Sequence, residues 1–160
     1  GIIISVSIIS FFSIISNYFN INLKSVFIGT FLGLIIGYFF RFYSISFNSI
    51  KSNYLKINYS IDESAYLIGF NKFTMFSKVH WPILKKNVFF IFVLIAIEIL
   101  KELPITLILR PFNFDTFSSK AYQFASQDLI EAASIPSMFL IFWSSILILI
   151  SYKYFFEIKK

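Results

Sequence analysis

The residues best placed to do chemistry in this sequence are Glu98, Lys101 and Glu102, because they close an otherwise apolar run, Val88–Ile97. Glu98 and Glu102 are four apart and share a helix face, and Lys101 is three from Glu98. A charge inside a membrane span costs about 2.5–3.5 kcal/mol on insertion scales, so it normally faces a cavity or a partner. Carboxylate oxygens suit hard cations. Two readings follow. One is a weak cation path near an outer gate, built from Glu98, Glu102 and Asp115. The other is an internal Glu98–Lys101 pair whose side chains snorkel to the rim. Pro104 ends the helix that carries these residues, and Thr106, Arg110 and Pro111 follow. The segment Ile105–Arg110 is expected to dip back into the protein as a gate. Asp115 is expected to cap a helix reaching about Ala125. His80 is the sole histidine and cysteine is absent, so no metal site, disulfide or thiol chemistry is expected.

These residues sit in a chain of 160 residues that is 58% hydrophobic and 14% charged, with mean hydropathy +0.78. Soluble domains carry roughly a quarter charged residues. The composition therefore gives an all-α integral membrane protein, since in lipid only helices and closed barrels satisfy the backbone and the apolar runs are continuous rather than alternating. About four transmembrane helices are expected, over residues 1–19, 23–42, 82–103 and 136–156.

Basic residues cluster in the loop over 44–81 and its flanks: Arg41, Lys51, Lys56, Lys72, Lys78, Lys85 and Lys86, against Asp62 and Glu63. Lys153, Lys159 and Lys160 follow the last span, whereas Lys24 is alone in the first loop. The bias places the 44–81 loop and the C-terminus in the cytoplasm and the loop over 104–135 outside. The net charge of +6 is thus a topology signal and not a nucleic-acid footprint. Gly29, Gly33 and Gly37 recur every four residues and define a face for close helix packing. Tyr38, Phe39, Phe40, Phe42 and Tyr43, with Tyr152, Tyr154, Phe155 and Phe156, read as an interfacial aromatic belt.

The loop contains "SIDESAYLIGFNKFTMFSKVHWP", Ser60–Pro82. Ser60 and Glu63 fit a capping box, which predicts a helix over Ile61–Ile68. Gly69 sits where a helix ends in a left-handed turn. Asn71 can cap a second short helix over Lys72–Val79, and Pro82 suits the first turn of the next span. Two short helices have no core of their own. Tyr66, Leu67, Phe70 and Phe73 must therefore meet either the bilayer interface or a soluble partner.

This segment resembles the cytoplasmic EAA loop of permease subunits of binding-protein-dependent ABC importers. That pattern is E-A-A, three residues, G, nine residues, then I-x-L-P. Here Glu63-Ser64-Ala65, Gly69 and Val79-His80-Trp81-Pro82 keep the spacing, with Ser64, Val79 and Trp81 as departures. A second stretch, "KELPITLILRPFNFDTFSSKAYQFAS", is similar to the segment after the EAA loop in ferric-iron importer permeases, at Lys101–Pro104, Thr106 and Arg110–Thr116. The resemblance implies the C-terminal part of a type I importer permease in a bacterial inner membrane, needing the remaining N-terminal part of the permease. It implies ATP-binding subunits docked on Glu63, Ala65 and Gly69, and an extracytoplasmic iron-binding protein at the outer loop. It implies no cofactor and no catalysis by this chain. Alternatives are an importer of thiamine, sulfate or polyamine, which the EAA loop would suit equally, or a secondary transporter or channel.

Overall fold

The computed structural model describes residues 1–19, 27 and 29–157, the last three as backbone only. The expectations for Lys24, Lys159 and Lys160, for the start of the second span and for the Phe155 and Phe156 rings lie outside what is described. Among the described residues the chain is helical throughout, without strands. The helices are α1 (Ile2–Phe19), α2 (Phe31–Tyr54), α3 (Tyr59–Leu67), α4 (Lys72–Met75), a π-helical turn (Phe76–His80), α5 (Trp81–Lys101), α6 (Pro104–Leu109), α7 (Phe117–Ser126) and α8 (Ile130–Glu157).

Three of them, α1, α2 and α8, are long and apolar enough to cross a membrane. The expected third span, α5, has the length, 21 residues, or about 32 Å. Its uncharged stretch, however, runs only from Asn87 to Ile97, between Lys85–Lys86 and Glu98. It packs between α2 and α8 rather than standing alone. Large apolar side chains remain exposed on α1, α2 and α8, which is the surface a bilayer covers.

Two span boundaries move. The helix of the second span is described from Phe31 and continues to Tyr54, well past the expected end at 42. Gly29 lies in a left-handed turn, φ +74°, which stops the helix on that side. At the other end no proline or glycine interrupts Ser44–Tyr54, and the helix simply continues beyond the apolar stretch. The fourth helix begins at Ile130 and contains Pro136 internally, instead of starting at it. Membrane helices tolerate such prolines; here Ser134 and Ser137 donate to the Glu131 and Ala133 carbonyls, on either side of the Ala132 carbonyl to which Pro136 has no N–H to give.

The tightest packing surrounds the short helix α6. Ile105, Thr106 and Leu109 are fully buried, and Ile105 and Leu109 form a cluster with Ile8 of α1 and Leu34 of α2. The chain does dip back into the protein here, with Pro104 in the first turn of α6, where its missing N–H costs nothing. Gly37 allows this approach: a Cβ there would lie 2.8 Å from Ile105 Cγ2 and 2.9 Å from Leu109 Cδ1. A Cβ at Gly33 would collide with the Phe27 carbonyl oxygen. Gly29 does not belong to this face, because it precedes the described helix and no described residue beyond its chain neighbours lies within 4 Å of a Cβ placed there.

Candidate functional site

Two polar regions interrupt the apolar bundle. The first is the elbow between α2 and α5. Its N-cap is Asn58, whose side chain accepts from the Ser60 N–H at 3.3 Å. The expected capping box is not formed. Ser60 lies inside α3, where its carbonyl accepts from Ser64 Oγ at 2.8 Å. Asparagine caps at least as well as serine, and it stands far enough upstream to start the helix sooner. Glu63 is thereby left exposed and free of any capping duty. Ala65 is buried.

The exit from α3 follows expectation. Gly69 has φ +83°, its N–H reaches the Tyr66 carbonyl, and the Phe70 N–H reaches the Ala65 carbonyl. This paired arrangement is a Schellman motif, which only glycine adopts without strain. Asn71 caps the next helix through the Lys72 N–H at 2.7 Å. That helix is not separate, as Lys72–Val79 was expected to be. It passes through the π turn directly into α5. The Trp81 N–H bonds to the Phe76 carbonyl, five residues back. The wider turn relieves the clash that the Pro82 ring would make with the carbonyl four residues earlier. Val79 is half-buried within this turn and Pro82 is exposed just after it. Leu67 and Phe73 are 90% and 80% exposed, and Tyr66, Ile68 and Phe76 are also uncovered. The elbow thus carries an apolar face that no described residue covers.

The second region is the break between α5 and α6. Glu98 pairs with Lys101 at 2.9 Å, both side chains being about half exposed. Glu102 differs. Its side chain is 10% exposed, and Arg41 Nε of α2 lies 3.8 Å from Oε2, too far for a hydrogen bond. Its other oxygen, Oε1, is buried without a hydrogen-bond partner. The Glu102 carbonyl, freed where the helix breaks, accepts from Thr106 Oγ1 at 2.8 Å and Ser118 Oγ at 3.2 Å. Thr106 Oγ1 also shares a 2.6 Å hydrogen bond with the Tyr38 hydroxyl. Asp115 lies elsewhere, paired with Arg110 and with Lys120. It does not cap α7. Thr116 does, with Ser119 returning the bond to the Thr116 N–H, because the Asp115 carboxylate is taken by the two cations. Among the described residues no three acidic or histidine side chains converge as a metal site would require.

Two members of this break, Tyr38 and Arg41, were assigned by sequence to the aromatic belt and to the basic loop. The overlooked signal is that Arg41 is four residues beyond Gly37, so it continues the packing face toward α6.

No protein-family model matches the chain, and no solved structure matches it. The chain is similar to the Fe(3+)-transport system permease protein FbpB 2 of Haemophilus influenzae, at 24% identity over 157 residues, covering 98% of this chain and 29% of that protein. The likeness to ferric-iron permeases thus runs over nearly the whole chain, while the chain spans less than a third of the relative's length. This likeness and the three membrane-capable helices together support a membrane protein similar to part of a permease.

Proposed function

We propose that this chain is part of the membrane-spanning permease of an ATP-driven importer, carrying ferric iron handed over by an extracytoplasmic binding protein. Hydrolysis belongs to a separate ATP-binding subunit that docks on Asn58–Pro82. The observation that carries this reading is the elbow itself: a capped helix with an uncovered apolar face, turned at Gly69 into a second helix that joins α5 without interruption. A push on that second helix, from Lys72 onward, reaches the bundle through continuous helix. The similarity to an Fe(3+)-transport permease supports iron as cargo. The basic residues Lys51, Lys56, Lys72, Lys78, Lys85 and Lys86 support a cytoplasmic elbow. Glu63, Ala65 and Gly69 would form the docking turn. Pro104, Thr106 and Glu102 would form the gate, with Glu98, Lys101, Arg110 and Asp115 setting the charge around it.

Gly69→Val in the complete permease, assembled with its ATPase and binding protein, tests the coupling role. Nothing lies within 4 Å of a Cβ at this position, so valine meets no clash within the chain, only backbone strain of about 1–2 kcal/mol. The strain should rebuild the docking turn and leave the bundle intact. The expected result is iron uptake reduced at least tenfold with ATP hydrolysis retained, a loss of about 1.4 kcal/mol in coupling. Uptake at the unaltered rate would remove the elbow from the mechanism. Uptake that persists after the ATPase is deleted would favour a gradient-driven carrier. Competition of iron uptake by thiamine, sulfate or polyamine would reassign the cargo.

The side of the membrane is tested independently. The chain contains no cysteine, so Ser64→Cys, at an exposed position, introduces one reporter within this region. It should react with a membrane-impermeant thiol reagent in inverted vesicles and not in intact cells. The opposite labelling pattern would reverse the topology.

A further inference from the structure

Helix α3 is poorly held. It packs extensively against no other helix among the described residues, and it is tied to the rest of the elbow through the Gly69 turn, where the backbone is left-handed. A force applied to α3 would swing it about that turn unless something braces it. One side-chain contact does. His80, on the π turn, is buried to 2% exposure, and its Nε2 lies 3.3 Å from Asp62 Oδ1 on α3. The Tyr54 ring, at the end of α2, lies over the imidazole with centroids 5.3 Å apart and planes 34° apart. Three elements, α2, α3 and the π turn, thus converge on one histidine. The arrangement is costly. Both imidazole nitrogens and Asp62 Oδ1 are buried without an aligned hydrogen bond, and buried polar atoms in that condition destabilise a fold. π turns, too, are kept mainly where function needs them.

We infer that Asp62 and His80 form a strut that fixes α3 to the start of α5, so that displacement of α3 moves α5 instead of bending the elbow at Gly69. The inference rests on the coupling reading above. Asp62 and His80 are positioning residues: they touch neither cargo nor nucleotide and act through the orientation of α3. Gly69 sets the shape of the docking turn, and the strut sets its stiffness.

The test uses the complete importer in vesicles, with its ATPase and binding protein. Asp62→Ala and His80→Ala should each raise the ATP hydrolysed per iron imported by about tenfold while the ATPase stays bound. The double substitution should do no more than either alone, since both remove one contact. Asp62→Cys with His80→Cys should behave the same way unbridged. Bridging the two thiols with a short bifunctional reagent should restore the ratio to within about twofold of the unaltered importer. A folding defect would not be repaired by that bridge. Unchanged ratios in the single variants, additive losses in the double, failure of the thiols to bridge, or a bridged importer that stays uncoupled would each overturn the strut. The unaltered importer is measured first. If its uptake does not depend on ATP hydrolysis, the coupling reading fails before the strut is tested.

Discussion

Gly37→Leu is expected to dislodge α6 from the bundle and to abolish assembly of a transport-competent permease. The added side chain would enter space already filled by Ile105 and Leu109, both with no exposed surface. Even its Cβ would lie under 3 Å from each. Alanine tests the limit of relaxation, because the offending atoms are side-chain ends that can yield by a few tenths of an ångström. Leucine adds three further carbons, and Ile8 Cδ1, 3.9 Å from the added Cβ, stands in contact on a further side. Overpacking of this kind costs typically 1–3 kcal/mol, so about 2 kcal/mol would lower the folded-to-unfolded ratio roughly 30-fold. The measurement is the fraction of full-length permease that stays monodisperse after graded heating, for glycine, alanine and leucine. A graded loss is expected, with leucine far below alanine. Equal recovery of all three would show that α2 and α6 do not bear on each other. Gly29→Leu serves as the contrasting case. No described residue beyond its chain neighbours lies within 4 Å of a Cβ there, so it should show chiefly the backbone strain of a left-handed residue, about 1–2 kcal/mol.

The contrast between these glycines shows where sequence was legible. Of Gly29, Gly33 and Gly37, Gly37 is the one that lies against α6, and the four-residue spacing carried no information on where the helix starts. Hydropathy marks lipid contact, whereas a helix ends where its backbone bonding ends. Hence α2 runs on through Arg41–Tyr54, and α8 absorbs Pro136. Local signals did well when the chemistry was local. Gly69 in its left-handed turn and Asn71 as a cap are both present. They failed when two residues competed for one role, as Asn58 displaced Ser60 and Thr116 displaced Asp115. They were blind to pairs far apart in the chain. Nothing local joins His80 to Asp62, Arg41 to Glu102 or Tyr38 to Thr106, because each pair exists only once separate elements have packed. The capping correction also bears on function. A glutamate needed to cap α3 would require no further explanation, while an exposed Glu63 without that duty is available to a partner.

Arg41→Met should destabilise the permease more than Glu102→Gln does, and the pair of changes together should recover most of the loss. The reason is the asymmetry of burial. The Glu102 side chain is 10% exposed and that of Arg41 is 43% exposed. Removing arginine strands a buried carboxylate whose Oε1 already lacks a partner. Breaking a buried pair from one side costs about 3–5 kcal/mol, and the lower end is expected here because the contact is 3.8 Å and partly open. Removing the carboxylate instead leaves a half-exposed guanidinium that water or headgroups can solvate, at well under half that cost. Removing both leaves neither charge stranded. The ordering is read from heat resistance of the assembled complex. It separates two roles for Glu102 when uptake is measured on the same samples. Glutamine keeps the side-chain volume and leaves the Glu102 carbonyl bonds to Thr106 and Ser118 untouched. If Glu102 lies on the cation path, Glu102→Gln lowers iron uptake about tenfold or more although the complex assembles normally, as loss of a carboxylate selective for a hard ion would. Glu98→Gln should have little effect on uptake, because Glu98 is already occupied by Lys101. If both variants import iron at the unaltered rate, the break between α5 and α6 is a packing joint, and the cation passes elsewhere.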